Sequence, residues 1–461
     1  MAIMEDSLPA IKSFLPNTQG SAHFRSMLLR FLIAILTRHG RNSCMFAASA
    51  IEGKPRHRAQ PGRFLKRYRQ AIADLLAAIT LKMLRDQDWN GRYLLLLDST
   101  LVATAGQTIE NTFSTGNSKR RPAKNRRYTK YKYQRKSCHC FVFALLLTPD
   151  GLRVPMWLPY YTKPYAKVHK IKHRTQAQLA AQLICDAQVP AGTELIVVLG
   201  DTAFDAKCVR AACQERGYFW IVPVNTNRVF SAKKHGKRPR VSLRIEQLPA
   251  SRFQTIRLSI GAGPYAAQRR ASCHRTALRR RDGTKSTRTY HVHSERSEVH
   301  NVGMVMLVFS SSKPIGKKIQ REGTKLLMTN AKHLSARQVC ELYSLRWQIE
   351  LFFKELKSTL GMNQYSFKDF EAVESWMGIV LITFCYLEWT RRRKLADRRI
   401  DDRQRKCWKH ARSYTVREAL LVGIRYREHQ WHLRRLKTNH GLRTLRKRYT
   451  ELLSQEYRCV A

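Results

Sequence analysis

Tyr343-Ser-Leu-Arg346-Trp347-Gln-Ile-Glu350-Leu-Phe-Phe-Lys354-Glu-Leu-Lys357 is the stretch on which the reading of this chain turns. Good helix formers fill it, and no Gly or Pro interrupts before Gly361, so it predicts a helix. At 3.6 residues per turn, Tyr343, Arg346, Glu350, Lys354 and Lys357 fall along one stripe. Leu345, Ile349, Phe352, Phe353 and Leu356 supply an apolar side for packing. The stripe holds one carboxylate, Glu350, among cationic and phenolic donors. An amphipathic surface helix with ordinary ion pairs has the same composition. A metal-dependent phosphoryl-transfer site needs the same groups for a different reason: a carboxylate for the metal and cations for the phosphates.

The spacing Tyr-x2-Arg-x3-Glu-x6-Lys resembles the signature around the third acidic residue of DDE transposases of the insertion-sequence-four family. Tyr343, Arg346, Glu350 and Lys357 fill its four positions. The run Leu326-Leu-Met-Thr-Asn330 and the segment Leu334 to Tyr343 are similar to that family too. The resemblance covers roughly residues 92–362. It implies two further carboxylates upstream, and two stand after apolar runs. Tyr93-Leu-Leu-Leu-Leu97 ends at Asp98, and Glu194-Leu-Ile-Val-Val-Leu199 ends at Gly200-Asp201. Both runs predict buried strands with an acid at the C-terminal mouth. Asp205, one turn beyond Asp201, is a rival for the second position or a charge at a helix N-terminus. The resemblance implies that Asp98, Asp201 and Glu350 bind two Mg2+ ions, with Mn2+ as a substitute, because these ions take oxygen ligands. It also implies that Arg346, Lys354 and Lys357 hold phosphates near the scissile bond, with Tyr343 orienting one.

Composition points the same way independently. The chain of 461 residues has 85 Lys+Arg against 33 Asp+Glu, a formal net charge of +52. Self-repulsion of that size calls for a polyanionic partner. At 43% hydrophobic residues, the chain builds a sizeable core, unlike short nucleoid-packing proteins. Between the first two predicted strands lies Lys119-Arg-Arg-Pro-Ala-Lys-Asn-Arg-Arg-Tyr-Thr-Lys-Tyr-Lys-Tyr-Gln-Arg-Lys136, in which ten of eighteen residues are basic and none acidic. There Arg126, Arg127 and Lys130 are candidate phosphate contacts, with Tyr128, Tyr131 and Tyr133 interleaved for base stacking.

The fold expected is α/β, an RNase H-like catalytic core interrupted by a β-rich insertion and flanked by helical, basic ends. Residues 1–91 predict a helical unit that reads DNA ends or only packs. Residues 92–224 predict strands at 92–97, 138–147, 152–158, 193–200 and 218–224, with helices at 174–187 and 205–215. Pro149-Asp150-Gly151 predicts the turn between the second and third strands. The pattern by itself says α/β; the RNase H-like order is what the resemblance implies. Residues 225–325 predict a β-rich insertion, because 149 residues separate Asp201 from Glu350. Some similar transposases use an aromatic there to hold a flipped base. No Trp occurs between Trp220 and Trp347, so that role finds no Trp here, and Trp347 itself packs in the core or stacks near a cleaved end. Residues 326–390 predict the second part of the core. Residues 391–461 predict a basic helical region for DNA binding or dimerisation, with 21 Lys+Arg against 5 Asp+Glu from Arg391 to Thr450.

Eleven scattered cysteines without a disulfide framework suggest a reducing compartment. Cys138-His139-Cys140 opens an apolar run and predicts a buried strand rather than a zinc site. No signal peptide and no apolar run of membrane-spanning length is expected, and residues 376–389 predict a core helix. Together these suggest a cytoplasmic, nucleoid-associated protein. The function expected is a transposase that binds the terminal inverted repeats of double-stranded DNA as a homodimer, cleaves the ends and joins them to target DNA. A non-catalytic regulator derived from such an enzyme and a stand-alone RNase H-type nuclease are the alternatives.

Overall fold

The computed structural model describes residues 11, 13–16, 21–37, 60–85, 91–104, 108–115, 136–189, 195–259, 287–313, 324–365 and 367–422. Three helices come first, α1 (Ala22–Thr37), α2 (Gln60–Arg67) and α3 (Arg69–Arg85). Five strands follow: β1 (Arg92–Thr104), β2 (Phe113–Thr115), β3 (Lys136–Leu147), β4 (Arg153–Pro159) and, beyond the short α4 (Lys163–Val168) and α5 (Gln176–Asp186), β5 (Leu195–Leu199). Then come α6 (Lys207–Glu215), β6 (Phe219–Pro223), β7 (Gln254–Ser259), β8 (Thr287–Val299), β9 (Gly303–Ser311) and β10 (Thr324–Thr329). The chain continues through α7 (Ala336–Ser344), α8 (Trp347–Ser358), α9 (Phe370–Ala396) and α10 (Asp402–His410).

All ten strands form one mixed sheet, ordered β2-β3-β1-β5-β6-β10-β9-β8-β7, with β4 also paired to β3. Its centre is β1, where Tyr93 to Leu97 are five consecutive buried residues. A strand covered on both faces reads as a continuous apolar run rather than an alternating one. β5 runs parallel to β1, and β6 parallel to β5. β3 is antiparallel to β1, and β4 to β3. The β3–β4 turn falls where Pro149-Asp150-Gly151 predicts it, with Gly151 at φ 81°.

One boundary differs in a way that matters. The first strand does not stop before Asp98 but continues to Thr104. Its parallel pairing with β5 ends at Leu96↔Leu199, whereas its antiparallel pairing with β3 runs on to Thr104↔Ser137. Asp98 therefore leaves the β5 side of the sheet while β3 still holds its backbone. The strands between Asp201 and Glu350 also join this sheet: β10 pairs with β6, and β9, β8 and β7 follow in antiparallel order.

The helix α9 is the core of the helical layer, touching α1, α2, α3 and β4. By length and composition it is long enough to cross a membrane, against the expectation of a shorter run, but 94% of its apolar window is buried inside the protein. Gly378 lets α3 come close: a Cβ there would lie 2.6 Å from Ile72 Cγ2. Phe31 packs edge-on against Trp376, and the Arg69 guanidinium meets the buried Glu374 carboxylate at 2.8 Å. The N-terminal helices thus have a packing role. Cys138, His139 and Cys140 are buried in β3, and His139 bonds the Tyr365 hydroxyl at 2.7 Å and the Glu110 carbonyl at 2.8 Å.

Candidate active site

The apolar run of β5 ends at Gly200, and the next turn demands a glycine. A Cβ on Gly200 would lie 2.9 Å from Phe204 Cβ and 3.4 Å from Val222 Cγ1. The tight turn that follows, Thr202–Phe204, is capped by Asp201, whose Oδ1 accepts the Ala203 amide at 2.8 Å. A carboxylate satisfying a free amide at the start of a helical turn is held in one orientation. In β1, Asp98 Oδ1 accepts the Ser99 amide at 2.8 Å.

The third acidic residue lies on the second of two consecutive helices. The stretch predicted as one helix is two, α7 and α8, meeting at Leu345-Arg346. There the backbone closes through i to i+3 bonds, Arg346 N to Tyr343 O at 3.1 Å and Ile349 N to Arg346 O at 3.2 Å. Such a tightened turn separates two helices without Gly or Pro. Arg346, at this junction, meets β1. Its Nη1 donates to Asp98 Oδ2 at 3.2 Å and its Nη2 to Glu350 Oε1 at 2.6 Å.

Electrostatics tie Asp201 to the same place. Burial pushes the Asp98 carboxyl up to about 6, and the charges of Asp201 and Glu350 add to the rise, while Arg346 opposes it. Burial also pushes the Tyr343 phenol up to about 12, against the lowering effect of Arg346. Three like charges at a half-buried site cost free energy unless a cation joins them. Arg346 supplies part of that compensation. The carboxylates do not form a closed ion cage: among the described residues, no group of three or more His, Cys, Asp or Glu side chains is gathered to hold a metal. The donor set nonetheless fits a hard cation, being all carboxylate oxygen, and the shared guanidinium marks where positive charge belongs.

The remaining predicted residues divide. Lys357 Nζ donates to the Leu101 carbonyl at 3.0 Å, three residues beyond Asp98 on β1, and partial burial lowers its pKa. Tyr343 is half-buried at the end of α7, with the Lys325 ammonium 5.9 Å from its ring centre. Lys354 is exposed on α8 and is not drawn into the site. Trp347 is 43% exposed and so is not a core residue. The rival Asp205 has a fully enclosed side chain held by two arginines. Arg228 Nε and Nη2 donate to its two oxygens at 2.8 and 2.9 Å, and Arg210 pairs with it as well. Arg126, Arg127 and Lys130 lie outside the described residues.

A cationic spur, which the sequence reading overlooked, stands at the same end of the sheet. The end of β4 leads through Tyr160, whose amide donates to the Cys140 carbonyl, and Cys140 is level with Leu101. Beyond it Lys163, Lys167, Lys170 and Lys172 are exposed and have no ion pair among the described residues. The spur is rigidly mounted. Asn111 donates to the Tyr160 carbonyl at 3.0 Å and accepts the Thr162 amide at 2.8 Å, and Tyr165 stacks on both Tyr161 and His169.

Comparison with known proteins gives the family. The family described as "Transposase DDE domain" matches residues 89–386. The chain is also similar to InsL, the transposase named for insertion sequence element IS186A of Escherichia coli (strain K12), at 38% identity over 77 residues, 15% of this chain and 21% of that protein. The transposase for insertion sequence element IS421 of Escherichia coli gives the same identity and coverage. The similarity thus spans about a fifth of the length of these curated relatives. With the family match covering more than half of its length, the chain belongs to the DDE transposase domain family.

Proposed function

We propose that this chain cuts the ends of its insertion sequence and joins them to target DNA by metal-dependent transesterification. The observation that carries the reading is the single Arg346 guanidinium shared by Asp98 and Glu350, with the Asp201 charge beside them. Strand order supports it: β4-β3-β1-β5-β6, with β3 alone reversed, is the order of an RNase H-like core. In this reading Asp98, Asp201 and Glu350 hold two Mg2+ ions. When bound, the pair activates the attacking water or 3′-hydroxyl and stabilises the leaving oxygen.

The protein's own residues do the positioning. Asp98 and Asp201 are fixed by the Ser99 and Ala203 amides, so their carboxylates need little reorganisation. Arg346 neutralises the site before DNA arrives and then offers its fork to a phosphate. Lys357, held on the Leu101 carbonyl, is a cation close to the scissile position, and Tyr343 orients a phosphate oxygen. The lysines of the 163–172 spur extend this positive surface along the duplex. The helical ends of the chain contribute further backbone contacts and the contacts of a synaptic dimer.

The test is cleavage of a plasmid carrying this gene with its native flanks, in Mg2+, by wild type and by Glu350→Gln. Breaks at both boundaries of the element, lost in the variant, are the expected result. Binding without cleavage by the wild type would overturn the enzymatic reading in favour of a regulator, and cleavage without strand transfer would favour a nuclease.

A further inference from the structure

We infer that Glu355 is a positioning residue, which couples the start of the helical residues 413–422, the segment leading into the basic C-terminal sequence, to the helix that carries Glu350. The inference rests on the active-site reading above. Glu355 lies on α8, five residues after Glu350, which places the two roughly 140° apart around the helix. Glu350 meets the Arg346 side chain beside β1. Glu355 points elsewhere, into a buried cluster of charges.

That cluster is crowded and fully built. Arg153 of β4 donates to both Glu355 oxygens, from Nη1 at 2.6 Å and Nη2 at 3.1 Å. Arg412 Nη1 donates to Oε1 at 2.6 Å. The Ser413 amide and hydroxyl both donate to Oε2, at 3.0 and 2.6 Å. Arg153 also pairs with Glu388 of α9, which Arg391 reaches at 2.9 Å. Glu355, Glu388, Arg153, Arg391 and Arg412 are all at most 9% exposed. The flanking arginines hold the Glu355 carboxyl down at about 2, despite its burial.

Ser413 opens the helical residues 413–422, which lie within the C-terminal region predicted from residue 391. A carboxylate on its first amide satisfies a donor that has no partner within its own helix and complements the positive end of the helix dipole. The contact is reciprocated at the other end of α8. Arg417 Nη1 donates to the Thr359 carbonyl at 2.9 Å, a carbonyl just past the last turn of α8. The C-terminal segment thus caps the catalytic helix while the catalytic helix caps it.

Stability alone is a poor reason for such a cluster. Buried ion pairs seldom stabilise more than apolar packing of equal volume, because desolvation offsets the attraction. Their distinctive property is direction: five donors aimed at one carboxylate fix the rotation and height of α8. With Arg346 engaged at the N-terminal end and Glu355 at the C-terminal end, Glu350 is held between two anchors. A movement of residues 412–417, as when the basic region engages DNA, is transmitted to Glu350 through Glu355.

Two variants test this in the full chain: Glu355→Gln, and the double variant Arg412→Ala/Ser413→Ala, which leaves α8 unaltered. Both are assayed at a temperature at which circular dichroism shows the wild-type spectrum. Single-turnover end cleavage is expected to slow by about tenfold or more at saturating DNA, with half-saturation shifted less than about twofold, as for misplacement of a catalytic group. Hydrogen exchange is expected to show faster exchange of α8 amides in the double variant, beyond residues 412–422. Wild-type cleavage rates in folded variants, or exchange changes confined to 412–422, would overturn the inference. A wild type that does not cleave would defeat the transposase reading, and the exchange result would still decide the coupling.

Discussion

Arg346 Nη1 stands 3.2 Å from Asp98 Oδ2, joining the junction of α7 and α8 to the centre of β1 across 248 residues of sequence. The same guanidinium reaches Glu350, so one side chain compensates two proposed metal ligands. It competes with a metal for those oxygens. Arg346→Gln is expected to bind Mn2+ more tightly than wild type in the absence of DNA, measured by calorimetry. It is expected to cleave DNA about 10²–10³-fold more slowly, the usual cost of removing a preorganised charge partner. Arg346→Lys should not restore the rate, because one ammonium cannot span both carboxylates.

Burial of Asp98, with its acidic neighbours adding to it, sets the sign of a stability effect. The Asp98 carboxyl is raised from its ordinary value to about 6 in the folded state. A group raised on folding contributes stability below its unfolded pKa and loses that contribution as pH rises through the folded one. Above pH 6 the ionised Asp98 is therefore a burden. Asp98→Asn is expected to be more stable than wild type at pH 8, by on the order of 1 kcal/mol, and to lose this advantage near pH 4. Denaturant unfolding at the two pH values measures it.

Glu355 has the opposite sign. Its carboxyl is lowered to about 2 by Arg153 and Arg412, so its contribution is present above its ordinary pKa of 4.5 and is lost as pH falls toward 2. Wild-type stability is expected to decline through this window. In Glu355→Gln that part of the decline should disappear, with lower stability throughout neutral pH. Melting temperatures from pH 7 to 3 test the prediction.

Helix packing gives a prediction free of catalysis. Gly378→Ala places a methyl 2.6 Å from Ile72 Cγ2, at the crossing of α9 and α3. Alanine is the better helix former, yet overpacking is expected to win and to destabilise by about 1–3 kcal/mol. Pairing it with Ile72→Ala, which removes the clashing Cγ2, should cost less than the two single losses added together.

For the spur, replacing Lys163, Lys167, Lys170 and Lys172 by Gln should flatten the salt dependence of duplex binding. Each lost phosphate contact lowers the slope of log affinity against log salt by about 0.9. An unchanged slope would mean that the spur faces away from the DNA.

Much of the framework was legible in the chain. The apolar runs at 93–97 and 195–199 announced central strands because burial on both faces selects uninterrupted aliphatic residues. The motif from Tyr343 to Lys357 named Arg346 and Glu350 through their spacing. Other features left no local mark. Lys354 and Glu355 are adjacent charges in one helix, and sequence gives no reason to leave one in solvent and bury the other. Asp201 and Asp205 are the same residue type four positions apart; only the fold encloses Asp205 between Arg228 and Arg210 and leaves Asp201 at the turn.

The sequence by itself determined the charge balance, the apolar strands and the acids at their ends, because periodicity and composition are local properties. The tertiary structure decided that Asp98 lies where β5 stops and β3 continues, and that the expected single helix divides at Leu345-Arg346. It also decided that the strands between Asp201 and Glu350 extend the same sheet and that Glu355 meets Arg153, Arg412 and Ser413. These depend on pairing register and on contacts between residues as far as 248 positions apart, which are fixed only when the chain closes on itself.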